Sequence, residues 1–210
     1  MTTGPDEQRT SLDLGRVVFF SDCVFAIAMT ILALTIRVPP VPQDQVAHAI
    51  RKLLPVLASY FLSFAVISLF WLAHHRMFSR IRRLDTPVIV MNLVLLSLVA
   101  LMPFPTDLLG RYGDSVAAVV LYAGTIAALG GTLAAIWVWA SWHCRLIDPA
   151  TPPDVVAHYT ARVVSMPVVF ALSIPIAFVS TSAAQYFWLL VIVLRITFRR
   201  RFGPLVPGTA

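Results

Sequence analysis

Six residues sit where their chemistry is costly. Asp22, Trp71, His74, His75 and Asn92 lie within or at the edges of long uncharged runs, and Arg16 opens the first of those runs. An ionisable side chain inside a bilayer costs a few kcal/mol at the centre and less toward the surface, so each needs a partner or a task. A carboxylate only accepts hydrogen bonds, an indole N–H only donates, and imidazole and amide do both. If Arg16 marks the membrane surface, Asp22 lies six residues deeper, about 9 Å along a helix. The next run delivers Trp71, His74 and His75 to the same surface, and the third leaves it with Asn92 five residues after Pro87. A layer of Asp22, Trp71, His74 or His75, and Asn92 is therefore expected, satisfying its own hydrogen bonds and fixing the first helix against the second and third. Two readings stay open: a packing layer with no further job, or one whose histidines sense or relay protons.

Little else in the chain offers chemistry. There is no G-x-x-x-x-G-K, H-E-x-x-H or G-x-S-x-G, so neither an enzyme nor a cofactor is expected. The histidine pair has no carboxylate but Asp22 with which to build a metal site, and Cys23 and Cys144 form neither a disulfide framework nor a metal-ligand spacing. The TVGYG carbonyl filter and acidic pore rings are also absent.

The elements that must position these residues are membrane spans. At 210 residues, 59% hydrophobic, 12% charged and a mean hydropathy of +0.83, the chain is too apolar for a soluble domain. The expected fold is an all-α integral membrane protein: a tail at 1–15, a six-helix domain at 16–199 and a second tail at 200–210. The uncharged runs are Val17 to Ile36, Leu53 to Ala73, Thr86 to Thr106, Ser115 to Trp142 and Val163 to Leu194. The last, at 32 residues, is too long for one span and must fold back at STSAAQ, Ser180 to Gln185, giving helices over about 160–179 and 184–199.

Counting Lys and Arg on alternate sides gives twelve against four, the minority being Arg37, Arg51, Lys52 and Arg111, so both termini are expected on the cytoplasmic side. The basic excess thus reads as topology, not nucleic-acid binding, and the chain as a multi-pass protein of the cell's inner (plasma) membrane. Trp137, Trp139 and Trp142, and Tyr186 with Trp188, are expected to anchor at the two interfaces. Gly124 to Ala128 and Ala127 to Gly131 are small-xxx-small spacings that permit close helix approach. On the first helix Phe20, Ile27, Ile31 and Leu34 share one face, Thr30 lies to its side and Asp22 points away. Periodicity alone makes that stripe lipid-facing or packed on another helix.

The segment RVVFFSDCVFAIAMTILALTIRVP resembles the R-x-x-x-F-S-D signature of the transmembrane protein 175 family, here Arg16, Phe20, Ser21 and Asp22. FWLAHHRMF and NLVLLSLVALMPFPTDLLGRYG resemble that family's second and third helices, the latter ending in a PFP turn. The resemblance runs from residue 16 to about 125. It implies a cation channel permeable mainly to potassium and weakly selective over sodium, a homotetramer in single-repeat members, with a pore lined by first helices and no re-entrant filter loop. It further implies a constriction of Ile27, Ile31 and Leu34, with Thr30 contributing to selectivity. Cys23 departs from the small residue usual after the signature Asp. The competing expectations are a proton-coupled transporter using Asp22 with His74 or His75 as relay, and a structural membrane protein without a pore. The expected partners are potassium ions, membrane lipid and further copies of the chain.

Overall fold

A computed structural model describes the backbone of residues 5–191 and the side chains of residues 13–191 other than His143. The regular elements among these residues are helices: α1 (Pro5–Leu32), α2 (Val46–Lys52), α3 (Leu54–Phe78), α4 (Thr86–Leu101), α5 (Pro103–Tyr112), α6 (Val116–Ser141), α7 (Pro153–Val179) and α8 (Thr181–Phe187). Five segments are long and apolar enough to cross a membrane: Asp13–Thr35, Leu54–Phe78, Thr86–Tyr112, Val116–Ser141 and Pro153–Ala177. The expected sixth helix begins as α8, and its remainder, 192–199, lies outside the described residues together with the tail at 200–210.

Several boundaries differ from the sequence reading, each for a local reason. Helix α1 reaches back to Pro5, into the stretch read as a tail. It tightens into a 3-10 turn over Ala33–Thr35, where Thr35 Oγ1 donates to the Leu32 carbonyl at 2.7 Å, before Pro39 and Pro40 stop it. Helix α3 continues through HHRMF to Phe78, so both histidines sit on a helix, not in a loop. Helix α4 is capped by Asp85, whose Oδ1 accepts from the Val88 N–H at 3.1 Å, and Pro87 occupies the first turn where an N–H is not missed.

The PFP motif is not a turn. Met102 keeps helical dihedrals, its N–H shifts to the Val99 carbonyl at 3.2 Å, and the Thr106 N–H resumes the helical pattern onto the Met102 carbonyl at 3.1 Å. Pro103 and Pro105 have no N–H to give, so α4 and α5 form one interrupted span of 27 residues. Helix α7 begins at Pro153, earlier than expected, and retains Pro167 and Pro175 inside it. The turn into α8 is a single extended residue, Ser180, whose Oγ accepts from the Ala183 N–H at 3.2 Å.

Helix α6 is the innermost span, packed on α7, α4 and α5, with Tyr122, Ile126, Ile136 and Trp137 fully buried. Two aromatic anchors therefore move into the core. Trp137 donates to Thr160 Oγ1 at 2.8 Å against the Tyr159 ring, and Trp188 donates to Ser173 Oγ at 2.8 Å between Phe170 and Tyr122. Trp139, Trp142 and Tyr186 stay exposed. The close approach on α6 is made by Gly130, where a Cβ would lie 2.9 Å from Pro167 Cδ; Gly124 and Gly131 of the expected small-residue pairs face open space.

Adding one methyl separates the two neighbouring glycines. Gly131→Ala should hold or raise the thermal midpoint of the purified protein, since alanine is worth up to about 1 kcal/mol over glycine in a helix. Gly130→Ala should lower it, because the rigid Pro167 ring cannot yield and overpacking costs about 1–3 kcal/mol. Equal midpoints in detergent would remove this contact from the packing account.

Candidate functional site

Helix α1 is tied to its neighbours by two separate groups of hydrogen bonds. In the first, His74 Nε2 lies 2.9 Å from Asn92 Oδ1, Asn92 Nδ2 donates to Ser21 Oγ at 3.0 Å, and Ser21 Oγ donates to the Val17 carbonyl at 2.8 Å. All three side chains are buried, and the His74 ring is stacked on Phe78 at 4.2 Å with Phe25 at 5.6 Å. In the second, Trp71 Nε1 donates to Asp22 Oδ1 at 2.8 Å in a half-buried setting. The structure thus brings together Ser21, His74 and Asn92, and independently Asp22 and Trp71. It leaves His75 exposed beside Trp71, with ring centres 5.8 Å apart, and Arg16 exposed outside both groups.

The first group has a direction. Asn92 presents its carbonyl to the histidine, so Nε2 must carry the proton, and every donor in the chain then points from α3 through α4 to α1. An amide passes no proton, and no hydrogen bond joins Asp22 to either histidine among the described residues. Nor do any three His, Cys, Asp or Glu side chains among the described residues gather as metal ligands.

Among the described residues, the opposite side of α1 carries no hydrogen bonds to other helices. Phe20, Ile27, Ile31 and Leu34 are 52%, 56%, 41% and 67% exposed, an apolar face that the subunit does not cover. Thr30 is exposed beside it, and its Oγ1 donates to the Ile27 carbonyl at 2.8 Å, which satisfies the hydroxyl within the helix. Leu34 falls in the 3-10 turn and not on the α-helix proper, so its direction departs from the 100° step that placed it on the stripe.

One polar group escaped the sequence reading. Ser63, Thr106 and Tyr122 meet deep between α3, α5 and α6, with Thr106 Oγ1 2.8 Å and Tyr122 Oη 3.0 Å from Ser63 Oγ. Hydroxyls in uncharged runs were the available signal, but nothing in their spacing pairs them across three helices.

A potassium channel of Streptomyces collinus is 35% identical to this chain over 176 residues, covering 79% of this chain and 83% of that protein. The family model described as "Endosomal/lysosomal potassium channel TMEM175" matches residues 16–103, the segment that holds both hydrogen-bonded groups and the apolar face. The chain belongs to the TMEM175 family. The crystal structure of a lysosomal potassium-selective channel TMEM175 homologue from Chamaesiphon minutus superposes with a TM-score of 0.77 at 31% identity, covering 91% of this chain and 99% of that one. The TMEM175 of Rattus norvegicus, named an endosomal/lysosomal proton channel, is 26% identical over 136 residues, which span 64% of this chain but 27% of that protein.

The two hydrogen-bonded groups should differ in their cost. Asn92→Ala leaves the buried His74 ring without a hydrogen-bond partner, at about 1–3 kcal/mol, and takes one donor from Ser21, which keeps its bond to the Val17 carbonyl. Asp22→Ala strands only the half-buried Trp71 N–H, which solvent partly rescues. Thermal unfolding of both variants should therefore rank Asn92→Ala as the more destabilised, and the reverse order would relocate the main lock to Asp22.

Proposed function

We propose that the chain is a cation channel passing mainly potassium, assembled as a homotetramer whose α1 helices surround the pore. The observation that carries this reading is the division of α1 into a side bonded to α3 and α4 and an apolar side the subunit leaves uncovered, with α1 the least buried of the five spans. The potassium channel named in Streptomyces collinus and the potassium-selective homologue from Chamaesiphon minutus support it. Rotational symmetry would set four copies of Ile27, Ile31 and Leu34 about one axis, with Thr30 beside them. Such rings offer no ligands. An ion passes largely hydrated or sheds water, a step that costs potassium less than sodium, and the same constriction can close by dewetting. The proposed topology is six spans over 16–199 in the plasma membrane, both termini cytoplasmic.

Reversal potentials in mixed potassium and sodium test the pore assignment. Ile27→Asn should raise conductance and reduce the preference for potassium, because side-chain amides replace an apolar ring with hydrogen-bonding groups. Val90→Asn on α4, also an exposed apolar position, is the control. An intact Ile27→Asn protein with unchanged conductance and reversal potential removes the α1 face from the pore.

Orientation is tested separately. A cysteine introduced at Pro42, in the connection after α1, should react with impermeant reagents from outside the cell, and one at residue 205 should not. The opposite labelling pattern overturns the twelve-to-four assignment.

A further inference from the structure

Two arginines that share one crevice have no ion-pair partner among the described residues. Arg76, near the end of α3, and Arg162, on α7, line one crevice between these helices with Tyr159 beside them. Both guanidinium groups carry positive charge into that crevice, and among the described residues neither has a carboxylate within ion-pair distance. Arg80 adds positive charge, its Cζ 5.8 Å from the centre of the Tyr159 ring. Two acids on this face are engaged elsewhere. Asp85 caps α4 and accepts from Trp139 with Arg145 at 3.9 Å, and Asp148 takes Arg82 at 2.9 Å. The Tyr159 hydroxyl is committed too, donating to the Ala73 carbonyl at 2.8 Å and so tying α7 to α3 where the arginines meet.

Deeper along both helices the crevice wall turns apolar. Leu72 and Leu69 lie one and two turns before Arg76 on α3, while Val163 and Met166 follow Arg162 on α7. The crevice is open to its surroundings and narrow, with a volume of about 30 Å³, so a ligand would set a phosphate oxygen between the guanidinium groups and keep its bulk at the mouth. Arginine suits that task, since its planar fork grips phosphate oxygens while the carbon stem lies along apolar surface. Charge at the rim and hydrocarbon below match an amphiphile of one kind.

We propose that this crevice binds an anionic phospholipid, its phosphate held by Arg76 and Arg162 and an acyl chain lying along Leu69, Leu72, Val163 and Met166. Basic pockets between membrane helices take anionic headgroups for this reason. The inference needs α3 and α7 to cross the membrane and is independent of which helix lines a pore.

The test uses the full chain purified in neutral detergent, with phosphatidylglycerol and phosphatidylcholine of identical acyl chains measured by native mass spectrometry, and inorganic phosphate as competitor. Phosphatidylglycerol should bind at least about tenfold more tightly than phosphatidylcholine and resist displacement by millimolar phosphate. Arg76→Gln with Arg162→Gln should lower its affinity by about tenfold or more, whereas Arg37→Gln with Arg51→Gln, the same charge change on the other face, should not. Equal binding of the two lipids by the wild type overturns the proposal whatever the variants do. Displacement by phosphate makes this a free-anion site, and equal losses in both variant pairs make the effect one of net charge; either result also overturns it.

Discussion

A buried amide has to satisfy both its ends where water cannot reach. Asn92 is 2% exposed and has one partner on α3 and one on α1, so three helices can meet only at the spacing and rotation that bring His74 and Ser21 within reach of a single side chain. Apolar contact would let α1 slide or roll at little cost, because lipid is as good a neighbour for leucine as another leucine is. The polar group removes that freedom. It also sets which side of α1 the subunit covers, and therefore which side it leaves bare.

Seen this way, Asp22 and Asn92 divide the work between depth and rim. The carboxylate sits half-buried, takes one indole N–H and keeps contact with the surface, where a charge is tolerable. The amide sits fully buried and is neutral, the form that a dry position permits. A second, smaller hydroxyl group of Ser63, Thr106 and Tyr122 performs the same service between α3, α5 and α6. Helices α6 and α7 join by a glycine facing a proline and by the Trp137 indole donating to Thr160.

The sequence made legible whatever depends on one residue type at one depth. Span positions followed from uncharged runs, and counting residues out of Arg16, Ala73 and Pro87 put Asp22, Trp71, His74 and Asn92 near one depth, but it neither brought Ser21 into the hydrogen bonds nor left His75 out of them. Pairing within the layer was not legible, since Asp22, His74 and Asn92 offer several mutually exclusive hydrogen bonds and only packing selects among them. The PFP motif misled for a related reason: proline removes a donor but does not force a chain reversal, and Met102 shows the backbone absorbing the loss without leaving the helical region. Trp137 and Trp188 misled because a tryptophan near a helix end can equally serve the interface or a core that has a hydroxyl to offer. Thr160 and Ser173 decided that, and neither announces itself in the sequence.

The meeting of Gly130 with Pro167 bears on how the chain assembles. Neither residue has rotamers to lose, so the contact forms without ordering any side chain, and proline has already surrendered part of its backbone freedom before folding begins. Helices α6 and α7 are also consecutive in the chain, joined by the short stretch from Trp142 to Pro152. A pair that is close in sequence and cheap in entropy is the natural early hairpin of this bundle. Helix α1, made before α3 and α4, has to wait for both before its Ser21 hydroxyl and Asp22 carboxylate can meet Asn92 and Trp71, so the helix made earlier is held by partners made later.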